Sequence, residues 1–290
     1  MKFAHLSETA DSTPELSLVL GDRAVPLREL DDALQFATLQ QLIEAGPEAL
    51  ERVNQAASRL PADAGRPLKN AVYSAAVIRP PITLAVGLNY DEHASELALD
   101  NDSGPVLFSL FPNSLNGHGR EVPIPTHIST EVDYEGELGV IIGKAVRDVS
   151  PEEALDAVFG YTVINDSAAR ELQFREPPWR RCKSFDGFTP VGPYVVTADA
   201  DTDPQDLHIT TDVDGLRVQD SSTKFMVNSV AQLISAISQG LTLLPGTLIS
   251  TGSPGGAGRS RKPQLFLVPG TEVTVSISKL GTLTSYCVPG

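Results

Sequence analysis

The chain has 290 residues, 41% of them apolar, and 37 acids against 22 bases, for a formal net charge of −15. That length fits one large domain or two unequal ones, and the apolar share is enough for a proper core. The acidic balance argues against nucleic acid and against an anionic membrane surface as partners, because both need a concentrated cationic face. The richest basic stretch, Arg259-Ser260-Arg261-Lys262, is short. Cys182 and Cys287 are too few for a disulfide framework. The first residues carry no apolar signal core, and no run of about 18 apolar residues could span a bilayer. A reduced, soluble, cytoplasmic protein is expected.

In chain order, Leu16–Leu20 and Ala24–Leu27 flank Gly21-Asp22 as a hairpin. Leu30, Leu34, Phe36, Leu39, Leu42 and Ile43 recur at helical spacing and predict one helix from Leu27 to Glu44. A second helix is expected over Pro47–Leu60. Arg79-Pro80-Pro81 then punctuates the chain, so residues 1–76 are expected to form a small hairpin-plus-helix domain and 77–290 the larger one. Beyond it, Leu84–Leu88, Glu137–Gly143, Val158–Ile164, Pro193–Thr197, Leu207–Val213, Thr247–Thr251 and Thr271–Ile277 read as strands bounded by Gly, Pro, Asp or Asn. Helices are expected at Asp91–Leu99, at Pro151–Ala157 with a Ser150/Glu153 capping box, and at Val227–Ser238. The fold class is α+β and mostly β.

The sharpest chemical feature is Asp133-Tyr134-Glu135-Gly136-Glu137, running into Leu138-Gly139-Val140-Ile141-Ile142. Residues i and i+2 of a strand share a face, so Glu135 and Glu137 point the same way. A solvated acidic edge is one reading, since acids are usually exposed. The apolar run Tyr161–Ile164 leads to a third acid, Asp166, and opens the other reading. Three carboxylates at the ends of two buried strands form a hard oxygen site suited to Mg²⁺ or Mn²⁺ and not to zinc. His93 and Glu96 follow a strand and a Gly/Asn turn at i, i+3. They read either as a surface pair or as an imidazole oriented by a carboxylate for general-base work. The run Ser250-Thr251-Gly252-Ser253-Pro254-Gly255-Gly256 offers hydroxyls and backbone N–H groups to an anion. It is no phosphate-binding loop, and no Gly-x-Gly-x-x-Gly opens a helix after a strand.

Taken in order, Gly87–Glu96, Asp133–Gly143, Gly160–Gln173, Lys183–Gly192 and Thr251–Gly258 resemble the fumarylacetoacetate hydrolase family, from about residue 77 to the C-terminus. The resemblance implies a mixed β-roll with a small N-terminal domain, usually a homodimer. It implies one divalent cation, Mg²⁺ or Mn²⁺, on Glu135, Glu137 and Asp166, and a His93–Glu96 dyad on a lid that activates water. Lys183 and Gln173 would surround the developing negative charge, and Thr251 would hold the substrate carboxylate. A small 2-oxo acid is the implied substrate. The family hosts C–C hydrolases of 2,4-dioxo acids, decarboxylases and isomerases, some of them in aromatic catabolism. The dyad favours hydrolysis here, with decarboxylation or isomerisation as the alternative and a non-catalytic ligand-binding paralogue as a third reading. Three departures from the family pattern stand out: Leu110 where many members carry Lys, Glu171 where Asp is usual, and Ser253 where Thr is common. The first points to a less acidic or more apolar substrate. His5, His118, His127 and His208 show no partner in the sequence and read as surface or structural.

Overall fold

A computed structural model of the chain describes residues 1–92, 105–176, 178–199 and 201–290. Three sheets carry it. The largest has 12 strands. From one edge it runs through Arg66–Pro67, Arg23–Pro26, Glu15–Leu20 and Lys2–Ser7 to Thr189–Thr197. It continues through Val158–Asn165, Gly136–Ile142, Leu248–Ser250 and Thr83–Gly87 to Val106–Ser109. A five-stranded sheet orders Leu216–Ser222, His208–Val213, Glu272–Ile277, Gly281–Pro289 and Arg120–Ile124, and a two-stranded ribbon joins Val132–Asp133 to Ala168–Ala169. Most neighbours are antiparallel, but Leu248–Ser250 pairs parallel with Thr83–Gly87, and Gly281–Pro289 parallel with Arg120–Ile124. The architecture is α+β, mostly β, with mixed sheets.

Gly136–Ile142 lies in the middle of the large sheet and is buried at every residue. A strand covered on both faces reads as a continuous apolar run instead of an alternating one. Leu138, Val140 and Ile142 pack towards the five-stranded sheet (Ile209, Val275, Ile277) and the helix Val230–Ser238 (Leu233, Ile234, Ile237). Ile141, on the other face, joins Ile164, Val191 and Val195 with Phe3, Leu16 and Leu18 of the N-terminal strands and Leu39, Leu42 and Val53 of the helices. The N-terminal hairpin thus extends the main sheet and shares one of its cores.

The helices correct several expectations. The predicted helix Leu27–Glu44 is two short ones, Leu27–Leu30 and Leu39–Glu44. Asp31 is extended and its side chain accepts from Ala33 N–H, while Thr38 caps the second helix through Gln41 N–H. Those side chains offer the backbone alternatives to a continuing helix. Leu34, which fitted the helical spacing, is buried from a turn. The helix from Pro47 ends at Ala57 instead of Leu60. The Ser150/Glu153 capping box does not form, because the Ser150 hydroxyl donates to the Glu153 carboxylate and leaves the backbone uncapped. A true capping box joins Ser229 and Gln232, so the last helix starts at Val230 instead of Val227. Of the predicted helix Asp91–Leu99, all but its first two residues lie outside the described residues. Among the described residues no helix is long and apolar enough to cross a membrane.

Candidate metal centre and active site

The register of the central strands assembles the site. In the antiparallel pair Gly136–Ile142 and Val158–Asn165, Gly136 faces Asn165 and Glu137 faces Ile164. One step beyond the ladder, Asp166 N–H donates to Glu135 O at 2.8 Å, so those two residues oppose each other. Directly opposed residues share a face, and so do Glu135 and Glu137. Glu135, Glu137 and Asp166 consequently offer oxygens that all lie within 4.8 Å of one another. Their exposures are 4%, 2% and 0%, which removes the reading of a solvated acidic edge.

Each acid is tied down. Glu137 Oε2 accepts from the Ser250 hydroxyl at 2.5 Å and from Gly252 N–H at 2.8 Å. Gly252 has φ +98°, and a Cβ there would stand 2.7 Å from Asn89 Cβ, so this close approach requires glycine. Lys183, on the turn Arg181–Lys183, donates Nζ to Glu135 Oε2 and, at 2.6 Å, to Asp166 Oδ2. Arg170 is fully buried and holds three partners. Its Nε donates to Asp133 at 2.7 Å, Nη2 to Glu135 at 2.5 Å and Nη1 to Gln173 Oε1 at 2.6 Å.

Four buried carboxylates, Asp133, Glu135, Glu137 and Asp166, thus face two buried cations, Arg170 and Lys183. Fully ionised, the cluster carries a residual charge of −2. Burial and the neighbouring Asp166 and Glu135 carboxylates push Glu137 up to about 8. Burial lifts Asp166 to about 6 against the pull of Lys183, and burial also raises Asp133. For Lys183, burial works against protonation, yet the Asp166 and Glu135 carboxylates hold it well above the ordinary lysine range. One carboxylate oxygen, Asp166 Oδ1, is buried without a hydrogen-bond partner. A dense, all-oxygen donor set with a charge of −2 and an orphaned oxygen fits one divalent cation.

A cleft leads to the triad between Val86, Gly87, Leu88, Phe108 and Trp179 on one side and Glu135, Glu137, Gln173, Lys183 and Ser253 on the other. The free space between them is about 10 Å³, room for an ion or a single water. Trp179 meets Phe108 edge-on at 5.8 Å and lies against the backbone of Gly87, where a Cβ would come within 2.5 Å of its ring.

Of the residues singled out in the sequence, Glu135, Glu137, Asp166, Gln173 and Lys183 come together here. Thr251 is buried beside them, with its hydroxyl donating to Leu138 O at 2.8 Å. His93 and Glu96 lie outside the described residues. Leu110 is buried behind Phe108, and Glu171 sits on the surface, accepting from Thr130 N–H. His5 is buried and structural, between Ala76 O and Leu39 N–H. His118 accepts from Thr284 N–H, and His208 meets Asp220 on the surface. The cysteines are free and buried.

Sequence reasoning missed Arg170 and the role of Asp133. A signal existed, because an arginine directly after Ser167-Ala168-Ala169 in an apolar context must find acids if it is buried. Gln219 was also missed. It ties Gly136 N–H and Thr211 to the Ser253 hydroxyl and Pro254 O, joining the five-stranded sheet to the loop after Thr251.

The model of the fumarylacetoacetate (FAA) hydrolase C-terminal domain matches residues 83–288. The chain belongs to the fumarylacetoacetate hydrolase family. Within it, the 2,4-didehydro-3-deoxy-L-rhamnonate hydrolase of Sphingomonas sp. (strain SKA58) is 46% identical over 201 residues, covering 69% of this chain and 70% of that one. The mitochondrial oxaloacetate tautomerase FAHD2A of Homo sapiens is 37% identical over 280 residues, 95% of this chain and 88% of that one. The crystal structure of maleylpyruvate hydrolase from Sphingobium sp. SYK-6, in complex with manganese(II) and pyruvate, matches with a TM-score of 0.81 at 28% identity, covering 100% of both chains. These family members are enzymes: hydrolases, a tautomerase and isomerases.

Proposed function

We propose that this chain is a divalent-metal-dependent hydrolase that cleaves a C–C bond in a 2,4-dioxo acid of the acylpyruvate or fumarylpyruvate kind. The observation that carries the reading is the buried Glu135–Glu137–Asp166 triad, with its uncompensated charge and the unpartnered Asp166 Oδ1, beside the ammonium of Lys183. The relative that holds manganese and pyruvate supports it, as does the relative named for hydrolysis of a didehydro-deoxy sugar acid. In the same reading the protein is a cytoplasmic homodimer.

A cation on the triad, Mg²⁺ or Mn²⁺, supplies Lewis acidity towards the 2-oxo acid oxygens. Lys183, kept protonated by its carboxylate neighbours, offers positive charge to the oxygen where negative charge develops. Gln173 has its carbonyl fixed by Arg170, which leaves its amide N–H groups for the substrate. Thr251 reaches the substrate carboxylate by turning its hydroxyl proton away from Leu138 O. His93, oriented by Glu96, takes a proton from water, and the water oxygen adds to the distal carbonyl carbon. The bond between that carbon and C3 then breaks, with its electron pair leaving on C3. His93 returns the proton to C3, so one water and one dioxo acid yield pyruvate and a carboxylic acid.

A second reading has its own observation: the oxaloacetate tautomerase aligns over nearly the whole chain. Tautomerisation needs proton shuttling at C3 and no attacking water, and decarboxylation uses the same enolate. Purified protein with Mg²⁺ or Mn²⁺, assayed on acetylpyruvate, fumarylpyruvate and oxaloacetate with product identification, separates these readings. Equal yields of pyruvate and carboxylic acid, lost in His93→Ala, are the expected outcome. Enol–keto exchange of oxaloacetate without acylpyruvate cleavage would favour the tautomerase. No turnover of any substrate with metal bound would leave a ligand-binding paralogue.

A further inference from the structure

We propose that the outer wall of the cleft selects 2-oxo acids whose distal end is uncharged, a short alkyl or hydroxyalkyl group, against those ending in a second carboxylate. The choice of ligand class rests on the 2-oxo acid part of the reading above and narrows it to the acylpyruvate kind, against fumarylpyruvate, whichever bond the protein breaks.

The two cations of the site are already engaged. Arg170 donates to Asp133, Glu135 and Gln173, and Lys183 to Glu135 and Asp166, which leaves Lys183 one N–H, the one assigned above to the 2-oxo acid head. Beyond them the wall is Val86, Leu88, Phe108 and Trp179, with Leu110 packed behind Phe108. Val86, Leu88 and Phe108 are 2%, 6% and 5% exposed, so their surfaces are dry. Leu88 holds φ +60°, a left-handed turn that a leucine adopts only at a cost, and this turn places it beside the cleft. The two polar side chains of the rim, Gln173 and Ser253, are neutral. Arg181 is paired with Glu176 and Arg259 with Glu131, and neither lines the cleft.

A distal carboxylate entering this wall would lose water and gain no counter-charge among the described residues, which is the costly way to bury a charge. A methyl or methylene gains apolar contact there instead. A hydroxyl finds the amide of Gln173 or the hydroxyl of Ser253, whose oxygen already accepts from Gln219 at 2.8 Å.

Calorimetric titration of the Mn²⁺-loaded protein with 2-oxohexanoate and with 2-oxoglutarate tests the inference without any turnover. The two share the 2-oxo acid head and differ in the distal group. The expected result is at least tenfold tighter binding of 2-oxohexanoate. Leu88→Arg should narrow or reverse that ratio by tenfold or more, and Trp179→Lys serves the same purpose if the first variant does not fold. Equal or tighter binding of 2-oxoglutarate by the wild type overturns the proposal. Absence of binding for either acid overturns both the proposal and the 2-oxo acid reading. Selective binding of 2-oxohexanoate without cleavage of acetylpyruvate supports the wall's selectivity and overturns the hydrolase reading alone.

Discussion

Lys183 Nζ stands 2.6 Å from Asp166 Oδ2, while the other oxygen of the same carboxylate, Oδ1, has no partner at all. One side chain therefore meets a fixed cation with one oxygen and keeps the second for another. In the proposed reading, that division would separate the charge that helps the reaction from the charge that holds the ion.

Lys183→Met should keep a stoichiometric Mn²⁺ site, because it removes positive charge and no oxygen ligand. Turnover should fall by about 10²–10³, the scale of losing one preorganised group at a developing charge. Steady-state kinetics alongside metal titration checks this. Loss of metal binding together with activity would mean that Lys183 only props up the triad.

Metal removal should show in the pH dependence of stability. Glu137 is raised by burial to about 8 from an ordinary value of 4.5, so the folded metal-free protein holds a proton that the unfolded chain gives up. That contribution is full at acidic pH and disappears as pH rises through about 8. The melting temperature of metal-free protein should thus fall between pH 6 and 8. Added Mn²⁺ should raise it more at pH 8 than at pH 6 and release protons on binding. Scanning calorimetry, and titration in buffers of different ionisation enthalpy, read both effects.

Arg170 has no exposed surface and no water to fall back on. Arg170→Met would leave Asp133 without its counter-charge and Glu135 with Lys183 alone, and a buried pair broken on one side costs roughly 3–5 kcal/mol. Arg170→Lys should rescue little, since one ammonium cannot span three partners on a planar fork. Denaturant unfolding of both variants measures the difference.

His5 gives the opposite pH signature. Burial holds its imidazole down at about 4, against the backbone carbonyl of Ala76, while the unfolded value is 6.5. The unfolded chain binds the extra proton first, so this stability is present above the unfolded value and is lost as pH falls towards 4. The full loss is roughly 3 kcal/mol, at about 1.4 kcal/mol for each tenfold difference in proton affinity between the folded and unfolded chain. His5→Gln should flatten the acid limb of the stability curve measured by denaturant unfolding. With one of the two hydrogen bonds weakened, it should also lower stability at neutral pH.

The triad was legible because its acids end apolar runs: Glu135 and Glu137 precede Leu138–Ile142, and Asp166 follows Tyr161–Ile164. Where a strand alternates or is short, the signal fades. Gly281–Pro289 mixes buried Leu283, Ser285 and Cys287 with exposed neighbours, and the ribbon Val132–Asp133/Ala168–Ala169 has two residues on each side. That ribbon brings Arg170 to Asp133, so the clamp depends on a pairing too short to show a period. The break in the predicted helix at Asp31 was hidden for a different reason. Leu30, Leu34 and Leu39 fit a helical face, but side-chain caps at Asp31 and Thr38 decide the backbone there.

Trp179 is the single tryptophan of the chain. Its ring lines the space of about 10 Å³ beside Glu135 and Glu137 and lies against Gly87. The protein consequently carries its own optical reporter in the lining of the site. Excitation at the indole band records that one ring without background from any other, and ligand arrival becomes a shift in emission that stopped-flow mixing can time.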